Sequence, residues 1–538
     1  MTGSSPPLDS PDSPPLPRSI TKAAGLISLS TFASRILGFA RDMLLAKLFG
    51  AGAAADAFYV AYRIPNLLRE LLAEGSISSA FIPVFTEYHT LRTKQETWEL
   101  ASAAFTTLLT IATAVTMIGI FCAPSLVWLI APGFREDEAR LATTTLLTQL
   151  MFPYLLFVSL AALAMGILNS LGAFAVPALA PVFFNLCIIT FAVGIAPLFD
   201  QPIFGVAIGV VVGGAAQFLM QLPALQRHGL LFGWRFLPTH PGIRRMGRLI
   251  VPTLLGFSVT QVNITVNTIL SSHFPGGPTY LFYAMRLIQF PLGLFGVALA
   301  TATLPTLSAH AARGDLPALR DTLEEALRMI AFVIVPAMVG LILLRKPIIH
   351  VIFEHGAFTP ADTIHTASAL FAFAIGLWAF AGYRIVATAF YALQDTFTPA
   401  SAAVIGMISN ILLALGLMHA FAHAGLALAT ALAAMVNVGI LVLLLGRRVG
   451  SFRWAMLGRT LWRIVIALIP MVVVCVWITD LAVWNRADQW IAKIIMLGVG
   501  IGLSLTGYIG IHALFKSEEL EKIWAMLNSK IRLGERTR

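Results

Sequence analysis

Charge is what this chain has least of. Asp, Glu, Lys and Arg make up 12% of its 538 residues, whereas 58% are hydrophobic, and mean hydropathy is +0.84. That is too little polar material to coat a water-soluble fold of this size. Cysteine is nearly absent as well: Cys122, Cys187 and Cys475 each stand alone in an apolar segment, which gives neither a disulfide framework nor metal-ligand spacing and leaves packing as their role. Catalytic signatures are missing too. The chain has no HExxH, no GxxxxGK[ST], no GxGxxG after a strand and no paired carboxylates beside a histidine, so no active site, no ATP site, no cofactor and no metal site is expected.

Long apolar segments are what the chain does have. A helix needs about 20 residues to cross roughly 30 Å of hydrocarbon. Segments of that kind recur at 20–49, 56–88, 101–130, 142–171, 173–199, 203–225 and 244–273, then at 278–309, 322–354, 362–392, 397–420, 424–446, 459–483 and 490–515. The expectation is an all-α polytopic membrane protein of about fourteen transmembrane helices. The net charge of +10 follows from topology rather than from nucleic-acid binding. Basic residues gather in alternate loops, at Arg18 and Lys22, Arg92 and Lys94, Arg227 to Arg248, Arg313 and Arg320, and Arg447 to Arg459. With the basic tail, they place both termini in the cytoplasm.

Residues 1–18 contain six prolines among serines and aspartates, a composition that builds no core and reads as a disordered cytoplasmic leader. It lacks the short apolar core and cleavage site of a signal peptide. The expected organisation continues with a first lobe at 19–225, a basic cytoplasmic loop at 226–243, a second lobe at 244–446 and two extra helices at 447–515. The tail at 516–538 has apolar residues at helical spacing with lysines opposite, which suits a helix lying on the anionic inner surface or a solvated terminal helix.

The two lobes echo one another. Residues 166–186 match 392–411, setting Asn169 against Gln394 and Asn185 against Asn410; 204–217 match 424–437; and Arg63 matches Arg286. Two six-helix units insert the same way round, as parallel repeats about an axis along the membrane normal, and rocking of such lobes opens a midplane cavity to either side in turn.

Buried charges then point to the cargo. A charge at bilayer depth costs roughly 2.5–3.5 kcal/mol on insertion scales, so it faces water, a partner or a substrate. SRILGFARD holds Arg35, Arg41 and Asp42, with Arg35 and Asp42 seven apart on one face. In residues 56–85, Asp56, Arg63 and Glu70 are spaced by seven with Glu74 four further on, Arg69 projects elsewhere, and Pro65 predicts a kink. An internal ion-pair ladder would account for part of that face. Arg286 and Arg384 have no acidic residue within four positions. Arginine suits phosphate through its planar fork and permanent charge, and several converging arginines suit a diphosphate.

These residues resemble the MurJ (MviN) family of lipid II flippases, in the multidrug, oligosaccharidyl-lipid and polysaccharide exporter superfamily. The resemblance rests on SRILGFARD, on the run from Gly50 to Phe85, on the ILN of residues 167–169 and on RLIQFPLGLFGVAL, and it extends over residues 20–515. It implies a cationic central cavity that accepts the undecaprenyl diphosphate-linked disaccharide pentapeptide and moves it from the inner to the outer leaflet by alternating access. By motif position it implies Arg35, Arg41, Arg69 and Arg286 as headgroup-binding residues and Asp56 as the acid of helix 2. It also implies helices 13 and 14 as a groove for the lipid tail, with peptidoglycan-synthesis proteins and membrane lipids as further partners. Position 285 is Met where some relatives carry a polar or acidic residue. Helices 7 and 11 lack Asp and Glu, so sodium coupling is not expected, while membrane potential is retained as an energy source. The competing readings are a flippase for another diphosphate-linked oligosaccharide lipid, a drug or cation antiporter of the same superfamily, and a membrane scaffold held together by its buried charges.

Overall fold

The computed structural model describes residues 18–71, 78–230, 233–485 and 489–525, and every extended regular element in them is a helix. Ten helical stretches among them are long and apolar enough to cross a membrane, so the chain is a multi-pass membrane protein. In chain order the first half holds α1 (Arg18–Phe49), α2 (Ala53–Arg69), α3 (Ser78–Leu91), α4 (Lys94–Ile130), α5 (Glu138–Met151), α6 (Pro153–Ser170), α7 (Ala175–Gly194), α8 (Ile203–Leu219) and α9 (Leu222–Arg227). The second half holds α10 (Pro241–Ser271), α11 (Gly277–Pro291), α12 (Val297–Ala312), α13 (Leu316–Leu343), α14 (Arg345–Phe353), α15 (Pro360–Ile375), α16 (Leu377–Ala392) and α17 (Phe397–Val449). Last come α18 (Trp454–Thr479) and α19 (Trp490–Leu514).

Several apolar stretches are not single rods. The stretch at 56–88 holds α2 and α3, and α2 runs continuously through Pro65 to Arg69. Pro153 separates α5 from α6, because its ring removes a backbone donor. The stretch at 278–309 is interrupted by a π turn at Leu292–Gly296, directly after Pro291, the kind of local widening that clusters at functional sites. α17 reverses at Ala422, whose φ of 49° and ψ of −134° split it into the two expected segments. Helix starts are set by local chemistry: Thr93 and Glu96 form a reciprocal capping box on α4, as do Thr359 and Asp362 on α15.

Packing is mostly within each half. α1 lies on α7, α8 on α6 and α7, and α2 on α5; in the second half α10, α15 and α16 lie on α17, α11 on α15, and α12 on α13 and α16. α18 and α19 pack on each other, α18 on α13 and α19 on α14. The halves meet where α2 touches α11, α3 and α4 touch α10, and α1 touches α14.

Glycine lets backbone approach backbone at the end of the bundle that carries Gly50. A Cβ on Gly50, which has φ +58°, would stand 2.3 Å from the Ala357 carbonyl oxygen, and one on Gly356 2.4 Å from the Lys47 carbonyl oxygen. Between them the Ala357 N–H donates to the Lys47 carbonyl at 2.8 Å. Likewise Gly133 lies against the Ser272 backbone and donates its N–H to Ser272 Oγ at 3.0 Å. These contacts join the two halves at close backbone approach.

The matched asparagines do equivalent work. Asn185 on α7 donates to the Ser34 carbonyl of α1 at 3.3 Å, and Asn410 on α17 donates to Asn263 and Asn267 of α10 at 2.5 and 3.1 Å. The match of Asn169 with Gln394 is corrected, however. The turns that end α6 and α16 place Gly172 (φ +76°) and Gln394 (φ +59°) at the same point, so Gln394 corresponds to a residue three beyond Asn169. Apolar helices align in several registers, whereas a left-handed turn residue admits one.

Candidate functional site

Asp42 is the centre of the charged cluster. Its side chain is fully buried, and on its own helix it accepts from Arg41 Nε at 3.0 Å and Nη2 at 2.7 Å. From α11, in the other half, Arg286 Nε stands 2.7 Å from Asp42 Oδ2 as an ion pair not aligned for a hydrogen bond. Arg41 Nη1 also donates to Asn185 Oδ1 at 3.0 Å. Room for Arg286 comes from Gly38, where a Cβ would lie 2.9 Å from its Nη2. Arg41 and Arg286 keep 15% and 32% of their side chains exposed, so both still present donors to a neighbouring anion. Asp42 thus contacts Arg41 rather than Arg35, with which it shares a helix face, and Arg286, without a nearby acid in sequence, gains its partner from α1.

Arg35 and Arg384 are different. Both are exposed, and among the described residues neither has an acidic side chain within ion-pair distance. Arg35 lies over the π turn, where a Cβ on Gly293 would come 3.0 Å from its Nη1; the stem of Arg384 passes Gly296 of the same turn, at 3.6 Å from the position of a Cβ there. An unpaired guanidinium facing hydrocarbon is strongly unfavourable, so this side of the π turn is wet.

Among the described residues, Asp56, Arg63 and Glu70 are not paired with one another. Asp56, fully buried, is paired with Arg140 of α5 and accepts from the N–H groups of Gly276 and Thr279 at 2.8 and 3.1 Å and from Thr279 Oγ1 at 2.5 Å. It caps the start of α11 with a negative charge, where the helix dipole favours one. Glu70 accepts from Asn66 Nδ2 at 2.7 Å and from Gln261 of α10 at 2.5 Å, and Arg69 Nε donates to Asn66 Oδ1 at 2.9 Å. Arg63 is half-buried and its Nε has no hydrogen-bond partner. Glu74 lies outside the described residues.

Depth separates these groups. At about 1.5 Å per residue from the Gly50 end of their helices, Arg41 and Arg286 lie at roughly 12–14 Å and Arg35 and Arg69 at roughly 21–24 Å. The first pair shares one carboxylate and the second tier does not reach it. Between Asp56 and the Arg41 tier, Tyr59 stacks on Phe282 with centroids 4.1 Å apart and donates to the Tyr283 hydroxyl at 3.0 Å, so aromatic rings pack across the two halves there.

The sequence profile described as "Lipid II flippase MurJ" matches residues 45–493. The chain belongs to the MurJ lipid II flippase family. Among MurJ relatives it is 39% identical to "Probable lipid II flippase MurJ" of Vibrio cholerae, over 78% of this chain and 82% of the relative. It is 36% identical to "Lipid II flippase MurJ" of Burkholderia cenocepacia, over 78% of this chain and 83% of the relative. A solved structure titled "Lipid II flippase MurJ, inward closed conformation" superposes with a TM-score of 0.76 at 29% identity, covering 91% of this chain and all of that one. An inward-facing multidrug transporter of the MATE family, at 14% identity and a TM-score of 0.65 over 77% of this chain and 94% of that one, shares the fold. As a MurJ family member the chain is a transporter rather than an enzyme.

Sequence reasoning missed Asn185 as a site residue, although its match to Asn410 marked it; Arg140, Gln261 and Thr279 carry no local signal, since each acts on a residue far along the chain. Of the tail at 516–538, helical residues 518–525 dock on α13 and α18, with Glu519 buried, Thr460 Oγ1 donating to Glu519 at 2.9 Å and Arg328 paired with Glu518 at 3.0 Å, and residues 526–538 lie outside the described residues.

Proposed function

We propose that this chain moves lipid II, the undecaprenyl diphosphate-linked disaccharide pentapeptide, from the inner to the outer leaflet of the bacterial cytoplasmic membrane, with both termini inside and the Gly50 end outside. The observation that carries the reading is the Arg41–Asp42–Arg286 cluster, built from both halves and partly open to solvent. With Arg35 it leaves two net positive charges, which a diphosphate diester cancels. Neutralisation lowers the cost of enclosing the site in a low-dielectric protein, so cargo itself favours closure and no ATP is required.

Alternating access follows from how the halves touch. Residues 223 apart, the spacing of Arg63 and Arg286, meet at Asp56–Thr279 and Tyr59–Phe282, which supports two parallel repeats whose axis runs between α2 and α11. Rocking about that axis separates the glycine seams and the Asp56 cap at the outer end while the inner ends approach. Arg69, tied to Asn66 beside the Glu70–Gln261 link, moves with the α2–α10 contact. The exposed apolar faces of α18 and α19, including Trp462, Ile469, Val473, Ile491 and Ile495, suit the lipid tail. Any net charge carried couples transport to membrane potential at about 2.3 kcal/mol per charge per 100 mV.

The test depletes the native protein in its host and follows labelled lipid II at the outer face, comparing wild type with Arg286→Ala at equal membrane abundance. Restoration by wild type alone supports the reading; restoration by neither moves the cargo to another diphosphate-linked lipid.

A further inference from the structure

We propose that Arg384, with Arg35 across the π turn from it, forms a second anion subsite that takes a carboxylate of the cargo's peptide stem, separate from the diphosphate clamp. The inference rests on lipid II being the cargo. Arg384 comes from α16 in the second half and Arg35 from α1 in the first, and their side chains border the same five-residue turn at Gly296 and Gly293. Both are exposed, and neither has an acidic partner among the described residues. A guanidinium held in that state beside a membrane-depth cavity is electrostatically incomplete until an anion arrives.

Reach decides which anion. Arg41 and Arg286 converge on one carboxylate, so their guanidinium groups are close enough to share one diphosphate. Gly296, beside Arg384, lies ten residues along from Arg286, roughly 15 Å of helix axis. One diphosphate does not bridge that distance and stay in contact with both Arg286 and Arg384. The remaining anions of a disaccharide-pentapeptide headgroup are its peptide carboxylates, a planar two-oxygen group that matches the arginine fork. Charge agrees with reach: Arg41, Asp42, Arg286, Arg35 and Arg384 sum to three positive charges, of which a diphosphate offsets two, and a carboxylate offsets the third. The backbone supports the placement: a Cβ on Gly293 would come 3.0 Å from the Arg35 guanidinium, and the Arg384 stem passes Gly296 at van der Waals distance from a Cβ there.

Binding to purified full-length protein in lipid nanodiscs tests this with three probes: lipid II, lipid II with its peptide carboxylates amidated, and the diphosphate-linked disaccharide lacking the peptide. Wild type is expected to bind the free-acid form roughly tenfold more tightly than the amidated form, the scale of one charge-assisted hydrogen bond in a partly wet site. In Arg384→Gln the preference falls to near unity while affinity for the peptide-free lipid is unchanged, and Arg384→Lys recovers part of the preference. Arg286→Gln weakens all three probes alike. Equal loss on all three in Arg384→Gln makes Arg384 a phosphate contact or a structural residue and overturns the subsite. Retention of the preference in Arg384→Gln overturns it as well, as does a wild type that does not distinguish the two peptide forms. A wild type that binds none of the diphosphate lipids refutes the cargo reading itself.

Discussion

Arg286 and Asp42 form a 2.7 Å ion pair between α11 and α1, and through it the second half of the chain holds the only carboxylate that Arg41 contacts among the described residues. A buried acid shared by two partly exposed arginines keeps both cations in place without neutralising them.

Asp42→Asn should therefore cost stability as well as function. It leaves Arg41 and Arg286 facing one another with no shared counter-charge, and breaking a buried pair typically costs 3–5 kcal/mol; because Arg286 is about one-third exposed, about 1–3 kcal/mol is expected here. Unfolding in detergent of Asp42→Asn, Arg286→Gln and the double variant should be non-additive by at least about 1 kcal/mol. Additive losses would mean the pair is not coupled.

Asp56→Asn should loosen the Gly50 end of the bundle. The amide still accepts hydrogen bonds but no longer carries the charge that offsets Arg140 and the start of α11. In a cysteine-free background, Ser272→Cys, buried in the parent, should react several-fold faster with an impermeant thiol reagent when Asp56 is replaced. Unchanged labelling would remove Asp56 from the gate.

Gly133→Ala should act in the same direction by sterics. Its Cβ would sit 2.3 Å from the Ser272 carbonyl oxygen, a backbone atom that cannot rotate away, whereas Gly502 has nothing within 4 Å and serves as the control. Flux is expected to drop with Gly133→Ala and to be unaffected by Gly502→Ala; a normal rate in the first would show that the seam tolerates separation.

Flux should be independent of sodium. The polar cluster where α10 meets α17 is made of Asn263, Asn267, Asn410 and Thr430, all neutral, and a buried monovalent cation there would have no formal counter-charge. Outer-face exposure of lipid II in proteoliposomes should be the same in sodium and choline buffers, and a tenfold fall in choline would overturn this.

Much of the fold was legible because membrane insertion is a strong constraint. Each apolar stretch had to be helical, since hydrocarbon offers no partner for an unpaired backbone group, and charges so costly at that depth singled out Arg35, Arg41, Asp42, Asp56, Arg63, Arg69, Glu70, Glu74, Arg286 and Arg384 before any geometry was known. Breaks were legible only in part. Pro153 and Pro291 do mark interruptions, whereas α2 runs on past Pro65.

By itself the sequence determined that this protein crosses the membrane many times, that arginine rather than acid dominates its interior, and to which family it belongs. These follow from local properties: hydropathy, charge and contiguous motif. Only the tertiary structure decided which charges share a site. Asp42 is seven residues from Arg35, yet it pairs with a neighbour one residue away and with Arg286, 244 positions on; Asp56 belongs to Arg140 and α11 rather than to its own helix face. Helical periodicity fixes the direction of a side chain on its own helix, but partners across an interface are set by how helices pack, and that depends on the shapes of all the side chains between them.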